Sequence, residues 1–406
     1  MPVSTLIDRA RGCLLGLAVG DALGAPLEGL SSQQIRAHYG QVVDYVDGVR
    51  AWKKKPYRWR MPGLYSDDTQ QALALAEVLL ERGEVDPACL AQVYRALATP
   101  KGSYLGAHRG ISRSFRMVLA DLERGVSPRE TGQASAGIGA AMRIAPVGLY
   151  FLGQPEAIFE AVMAASLMTH RDVRSLSGAM AVALAVRHLA ADGSRTPSFL
   201  FRLAAEVARA EDRIAAEFPG TVASLEAHRR SLSWAIAHVE SVLDRPRDRA
   251  LAALIEEANR HGAEPPCRRP TMGFPPACIP SCLYLLLVTN SFEEALVEVV
   301  NLGGDADSAG AILGALAGAH YGLEAIPDRW LAGLQNREGI DLRAEALARG
   351  SAAELDVPDL VATERILSAR EGACREQHLA HHRPQGGDQG PTAGSDPRAR
   401  PIGPRS

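Results

Sequence analysis

Aromatic residues are scarce in this 406-residue chain, at 5%, although 47% of it is hydrophobic. Ala and Leu must therefore fill most of the core. That suits helices packed closely through small side chains, and it disfavours a β-sandwich, whose strands draw on branched and aromatic residues. An excess of charge of either sign is also missing. With a formal net charge of −3, no general attraction to nucleic acid or to an anionic membrane is expected. Cysteine is sparse, and Cys13, Cys89, Cys267, Cys278, Cys282 and Cys374 are too unevenly spaced for a disulfide framework. Cys278 and Cys282 lie four apart, with Cys267 and His261 upstream, so a zinc site is conceivable. The spacing fits no common ligand pattern, and buried thiols are the preferred reading. Long hydrophobic runs are absent too. The stretch Cys13 to Val19 gives way to Asp21, and Gly178 to Val186 and Cys282 to Val288 are too short to span a bilayer. No small-residue cleavage signal follows the N-terminal run. The expectation is a soluble protein of the reducing cytoplasm, with no membrane partner.

What the chain has is helical periodicity. Ser66-Asp67-Asp68-Thr69 opens a segment in which Ala72, Ala76, Leu79 and Leu80 recur at helical spacing, and Gly83 stops it. A second segment has the same form: Gly303-Gly304-Asp305-Ala306-Asp307-Ser308 precedes Ile312, Leu313, Leu316 and Ala319, and Gly322 ends the run. The spacing predicts further helices over Pro155 to Met168, Val173 to Ala191, Ser198 to Phe218 and Val222 to Leu243. No stretch alternates apolar and polar residues for long, so few strands are expected. An all-α fold follows. Composition changes after about Ala373 toward Pro, Gly, Arg and Gln. Residues 1–372 are expected to form one helical domain and 373–406 a disordered tail, removable after Gly372 without loss of activity. Asp44 to Arg60 interleaves Tyr45, Trp52, Tyr57 and Trp59 with Lys53, Lys54, Lys55, Arg58 and Arg60. Either its aromatics pack on the core, the preferred reading, or it forms a basic rim beside an anionic ligand.

The two acidic turns carry the chemistry. Capping alone could explain Ser66, Asp67 and Asp68 at one helix start and Asp305, Asp307 and Ser308 at another. Two features argue for more. Gly303-Gly304 permits a tight turn that aims several oxygens inward. The helices that follow are apolar enough to start near the core, where unpaired carboxylates are costly. A divalent cation is the natural partner, and oxygen-only ligands suit Mg²⁺ or Mn²⁺ better than Zn²⁺. Four carboxylates and two hydroxyls could hold two such ions roughly 3.5–4 Å apart. Glu28, after Gly20-Asp21-Ala22-Leu23-Gly24-Ala25-Pro26-Leu27, would by itself be a surface residue.

These segments together resemble the ADP-ribosylglycohydrolase family, including its bacterial dinitrogen-reductase-activating members. The matching stretches are Arg11 to Gly29, Tyr65 to Gln70 (YSDDTQ), Gly137 to Gly148 (GIGAAMRIAPVG), Met168 to His170 and Asn301 to Gly322, in the family's order. The resemblance implies a compact orthogonal all-α fold with a metal cleft holding two Mg²⁺ or Mn²⁺. It implies Ser66, Asp67, Asp68, Asp305, Asp307 and Ser308 as metal ligands, with Glu28, Asp67 and Asp305 catalytic. Gly137, Ile138, Gly139, Met142 and Arg143 would receive the diphosphate and distal ribose, a role that backbone N–H groups at a Gly-rich turn suit. His170 would line the ADP-ribose cleft. Ile138 stands where the family usually has Asn, and Ser308 where Thr is commoner. Some bacterial members place a catalytic Asp before the Gly-rich loop, but Pro87 to Ala120 contains no acidic residue and carries Lys101, His108 and Arg109 instead.

The activity so implied is metal-dependent removal of ADP-ribose from a modified protein, with N-linked ADP-ribosyl-arginine the favoured conjugate. The alternatives are an O-linked serine or small-molecule conjugate, or a non-catalytic ADP-ribose-binding or structural role.

Overall fold

The computed structural model describes residues 3–53, 55, 58–98 and 106–381. Its helices are α1 (Val3–Gly24), α2 (Ser32–Tyr39), α3 (Asp67–Arg82), α4 (Pro87–Ala98), α5 (Arg113–Glu123), α6 (Ala145–Tyr150), α7 (Ile158–Leu167), α8 (Val173–Asp192) and α9 (Pro197–Glu217). There follow α10 (Leu225–His228), α11 (Ser231–His238), α12 (Arg247–Arg260), α13 (Pro275–Val288), α14 (Phe292–Asn301), α15 (Ala306–Tyr321), α16 (Asp328–Gly333), α17 (Arg337–Arg349) and α18 (Leu360–His381). Among the described residues there is no strand, only the isolated bridges Ser31–Gly303, Gln133–His170 and Asp172–Ala223. The all-α expectation holds.

Helices α1 and α15 form the spine of the core, and glycine sets their separation. Gly12, Gly16, Gly20 and Gly24 recur every fourth residue on α1, so they share one face. They meet Gly318, Gly314, Gly310 and Ala306 of an antiparallel α15. A Cβ on Gly12 would lie 2.5 Å from the Gly318 carbonyl oxygen, on Gly16 2.3 Å from that of Gly314, and on Gly20 2.0 Å from that of Gly310. On Gly24 it would lie 2.1 Å from that of Ala306. No side chain fits between these backbones. By length and composition the Thr5–Leu27 stretch is apolar enough to cross a membrane, and 94% of its most apolar 18 residues are buried within this protein. The ladder accounts for that burial.

Two boundaries differ from the sequence expectation. Val222 to Leu243 is not one helix but α10, α11 and a 3-10 turn at Val239–Val242. The start of this stretch is drawn into extended pairing, with the Ala223 N–H donating to the Arg171 carbonyl at 2.8 Å, and Ser224 adopts a left-handed φ of 65°. At the C-terminus, α18 runs past Gly372 to His381, so the boundary drawn at 372 falls inside a helix. Arg375 there reaches the Trp59 carbonyl at 3.4 Å. Residues 382–406 lie outside the described residues. Of the cysteines, Cys13, Cys89, Cys267, Cys278 and Cys282 are buried free thiols. No group of His, Cys, Asp or Glu that includes them forms a metal site among the described residues.

A buried acid joins α9 to α11. Glu211 is fully buried and accepts from the N–H of Leu232 (3.1 Å) and of Ser233 (3.3 Å) and from the Ser233 hydroxyl (2.5 Å). Desolvation raises its carboxyl from the ordinary 4.5 to about 7, against those hydrogen bonds. The folded value lies above the unfolded one, so the unfolded chain releases its proton first. Stability from this group therefore falls as pH rises between those two values. Glu211→Gln keeps the acceptor for both N–H groups and removes the ionisation. Its Tm is expected to exceed the parent's by a few degrees at pH 8 and to match it near pH 4. Thermal melts across that range check this, and parallel pH profiles would contradict it.

Candidate active site

The glycine ladder delivers the C-terminus of α1 to the N-terminus of α15. The chain leaves α1 through a 3-10 turn at Ala25–Leu27 and reaches Glu28 and Gly29. The Gly29 N–H donates to the Gly304 carbonyl at 2.6 Å, and the Gly304 N–H donates to the Leu30 carbonyl at 2.8 Å. Gly303 and Gly304 both have φ +73°, and a Cβ on Gly303 would sit 2.3 Å from the Leu30 oxygen. The turn thus requires glycine twice over, for conformation and for space. It fixes Glu28 beside Asp305, the residue that opens α15.

Helix α3 arrives from the other side. Ser66 is its N-cap, its hydroxyl accepting from the Asp68 N–H at 3.3 Å. The capping role is therefore real for Ser66, whose side chain does not line the cavity described below. A residue given no role by sequence reasoning, Asp21 on α1, locks this helix start. It accepts from the Ser66 N–H (2.9 Å), the Thr69 N–H (3.0 Å) and the Thr69 hydroxyl (2.6 Å). The signal was available: a carboxylate inside a buried apolar helix demands donors from another element.

The two helix starts enclose a concentration of acid. Asp67, Asp68 and Asp307 are buried, while Asp305 is partly exposed. Asp67 accepts from Gln71 Nε2 at 2.7 Å. Asp68 Oδ2 and Asp307 Oδ1, one from each turn, are buried without a hydrogen-bond partner. Desolvation raises the Asp67 carboxyl to about 7, with Asp21 and Glu28 adding repulsion. Asp305 rises to about 8, mainly by desolvation, and desolvation also holds Asp68 and Asp307 well above the ordinary carboxylate range. Among the described residues no three such side chains converge as a ready ligand set.

Glu28, Asp67, Asp68, Asp305, Asp307 and Ser308 all line a cavity of about 700 Å³. The same cavity is lined by Gly137, Ile138, Gly139, Met142 and His170, so the segments proposed for ligand binding do meet the acidic turns. The Ile138 N–H donates to the Gly273 carbonyl at 3.0 Å, and Ile138 is nearly buried. His170 packs against the glycines: a Cβ on Gly139 would lie 2.9 Å from its Cε1. Its Nδ1 lies 2.9 Å from the Thr169 hydroxyl. Burial, with Arg143 adding, lowers its pKa to about 3, so the imidazole is neutral at physiological pH.

Arg143 does not line the cavity. Its guanidinium is buried and donates to Gln71 Oε1 (2.6 Å), the Ala165 carbonyl (3.0 Å) and the Thr169 hydroxyl (2.5 Å). It supports Asp67 through Gln71 and His170 through Thr169 rather than meeting a ligand itself. His108 and Arg109 also turn inward. His108 Nε2 lies 3.0 Å from the Tyr94 carbonyl, and Arg109 pairs with Glu364 at 2.6 Å. Lys101 lies outside the described residues. The wall that follows, Gly110 to Ser114 with Arg116, lines the cavity and was not singled out in the sequence.

The aromatic, basic segment packs on the core, the preferred of its two readings. Trp59 is buried, and the Trp52 indole donates to the Pro26 carbonyl at 2.9 Å. Arg58 stacks 4.8 Å over Trp52, donates to the Glu28 carbonyl at 2.7 Å and pairs with the Glu28 carboxylate at 3.3 Å. Packing thus orients a basic group onto Glu28. Lys54 and Tyr57 lie outside the described residues.

Two acidic helix starts thus share one cavity with a glycine turn and a neutral histidine. Comparison with known proteins gives the class. The family model for ADP-ribosylglycohydrolase matches residues 2–356. The ADP-ribosyl-[dinitrogen reductase] glycohydrolase of Rhodospirillum rubrum is 29% identical over 86% of this chain and 98% of its own. The ADP-ribosylarginine hydrolase Tri1 of Serratia proteamaculans is 26% identical over 86% of this chain and 81% of its own. A solved ADP-ribosylglycohydrolase-related protein complex superposes with a TM-score of 0.58 and 30% identity, covering 86% of this chain and 99% of that one. The chain belongs to the ADP-ribosylglycohydrolase family. It is a glycohydrolase, and the non-catalytic alternative gives way.

Proposed function

We propose that the protein hydrolyses the N-glycosidic bond between ADP-ribose and arginine on a modified protein, with two Mg²⁺ or Mn²⁺ in the cleft. The carrying observation is the pair of partnerless buried oxygens, Asp68 Oδ2 and Asp307 Oδ1, at facing helix starts. Leaving two carboxylate oxygens buried and unpaired is costly, and a divalent cation would offset that cost. The donor set is all oxygen, which suits hard cations. Asp67, Asp68, Asp305, Asp307 and Ser308 would hold the ions, with Ser66 adjoining them from its capping position. When bound, the cations would supply Lewis acidity toward the ribose hydroxyls and the attacking water.

The chain's own residues supply the rest. The Gly137–Gly139 turn and Met142 receive the diphosphate and distal ribose, and neutral His170 adds a hydrogen-bonding edge without a competing charge. Fixing these remote groups orients the anomeric carbon. Glu28, whose side chain is 26% exposed, stands on the cavity wall. It takes the proton of the attacking water as the water oxygen bonds to C1″. The C1″–N bond breaks through an oxocarbenium-like state, and the proton taken up by Glu28 passes to the leaving guanidine nitrogen, which restores the carboxylate. Arg58 keeps the Glu28 carboxylate aimed by holding its backbone and its charge.

Support for arginine comes from the relative that carries the linkage in its name. The test presents arginine-linked and serine-linked ADP-ribosyl peptides side by side with Mg²⁺ and quantifies free ADP-ribose. Release from the arginine peptide at least about tenfold faster, ~1.4 kcal/mol in the barrier, is expected. A preference for the serine peptide would overturn the assignment and leave the hydrolase intact.

A further inference from the structure

Helix α18 lies beyond residues 2–356, the span that matches the family model, yet it reaches the acidic motif of the active site. Glu364 on this helix is fully buried and is the common acceptor of three donors. It accepts from the Tyr65 hydroxyl at 2.5 Å, Gln70 Nε2 at 2.7 Å and Arg109 Nη2 at 2.6 Å. Tyr65 and Gln70 are the two ends of the acidic motif that contains Ser66, Asp67 and Asp68. Arg109 immediately precedes the cavity wall that begins at Gly110.

The same contacts are cross-braced. The Arg109 N–H donates to Gln70 Oε1 at 3.0 Å and its Nε to the Tyr65 carbonyl at 3.0 Å. Its Nη1 donates to the Ser368 hydroxyl at 2.8 Å, which in turn donates to the Ala107 carbonyl at 2.6 Å. Gln70 spends its second amide hydrogen on the Ala107 carbonyl at 3.0 Å. No buried side-chain atom of Tyr65, Gln70, Arg109, Glu364 or Ser368 is left without a partner. A buried carboxylate ringed this way loses its justification if any donor moves, so the network has one low-energy arrangement.

We propose that Glu364 is a positioning residue of the glycohydrolase site. Through it, the C-terminal helix α18 sets the placement of the Tyr65–Gln70 motif and of the 107–112 wall. It touches no ligand; it acts through Tyr65, Gln70 and Arg109 on the backbone that carries Asp67 and Asp68. The cation arm of the test rests on the proposed function, and the exchange arm does not.

The full chain is compared as parent, Glu364→Ala, Glu364→Gln and Leu367→Ala. Leu367 is a buried α18 residue outside the hub, so its truncation controls for a loosened helix. Two quantities are read: Mn²⁺ affinity by electron paramagnetic resonance, and amide hydrogen exchange of residues 66–70 and 107–112 without metal. Glu364→Ala is expected to weaken Mn²⁺ binding by on the order of tenfold or more and to speed exchange in both segments. Glu364→Gln should restore part of each, since one oxygen still meets Gln70 and Arg109. Leu367→Ala should lower Tm while leaving both near the parent. Parental exchange in Glu364→Ala would overturn the proposal, as would equal effects from Leu367→Ala. Should Glu364→Ala not fold, parental exchange in Glu364→Gln would overturn it. Absence of Mn²⁺ binding in the parent would instead count against the cation site alone, and exchange would still decide the role of Glu364.

Discussion

Asp307→Asn is expected to abolish turnover and, at the same time, to stabilise the cation-free protein. Asp307 is buried, and one of its carboxylate oxygens has no partner. Its neighbours are other acids: Glu28, Asp305 and Asp21 all repel it. An amide cannot ionise and still offers hydrogens to the surrounding oxygens, so the variant's Tm without metal should increasingly exceed the parent's as pH rises and the raised Asp307 carboxyl loses its proton. The same change removes a ligand charge. The loss in kcat/KM is expected to reach about a thousandfold, ~4 kcal/mol of transition-state stabilisation. A third signature separates this account from simple damage. Added Mn²⁺ should raise the Tm of the parent by mass action and move the variant much less. Calorimetry with and without Mn²⁺, beside a turnover assay, reads all three. A variant that is less stable than the parent without metal and gains as much from Mn²⁺ would contradict the reading of this cluster.

Gly314→Val is expected to cost the most stability of any single change outside the site. The α15 backbone meets the α1 backbone at this position, and a Cβ there would fall 2.0 Å from the Gly16 carbonyl oxygen. That oxygen belongs to the backbone of a helix buried from Gly12 to Gly24, so it cannot swing aside as a flexible side chain would. The helices must separate, opening voids along the ladder as well as straining the contact. A loss of about 4 kcal/mol or more is expected, at the severe end for single substitutions. The damage should also reach the site, because the ladder aligns Glu28 with Asp305. Denaturant unfolding measures the first effect and Mn²⁺ affinity of the folded fraction the second. A Gly314→Val protein with parental unfolding midpoint would mean that the two helices are not held by backbone contact.

Much of this architecture was legible in the residues. Ser66-Asp67-Asp68 and Asp305-Ala306-Asp307-Ser308 read as acidic helix starts, and they are; Gly83 and Gly322 end their helices as expected. That Gly303 and Gly304 adopt positive φ follows from a turn that only glycine tolerates. Partners distant along the chain were not legible. Asp21 serves Ser66 and Thr69 from another helix, Arg143 faces Gln71 and Thr169 rather than the cleft, and Glu364 meets Tyr65 across 299 positions. Asp21 within an apolar helix signals that donors are needed, but nothing local in a single sequence says which element supplies them. The glycine ladder was different. Its four-residue spacing was visible on both helices, but glycine counts as a helix weakener when propensity is summed, and its value as a spacer shows only when the second helix is placed against the first. The break in Val222 to Leu243 was hidden for a similar reason: helical spacing persisted, but extended pairing with Arg171 took the backbone.

The most direct test of the account is release of ADP-ribose from an ADP-ribosyl-arginine peptide by the purified full chain in Mg²⁺, repeated with chelator and again after Mg²⁺ or Mn²⁺ is restored. The account predicts release that stops with chelator and returns with either ion. Release that continues unchanged in chelator would contradict it, because the unpaired oxygens of Asp68 and Asp307 would then need another explanation.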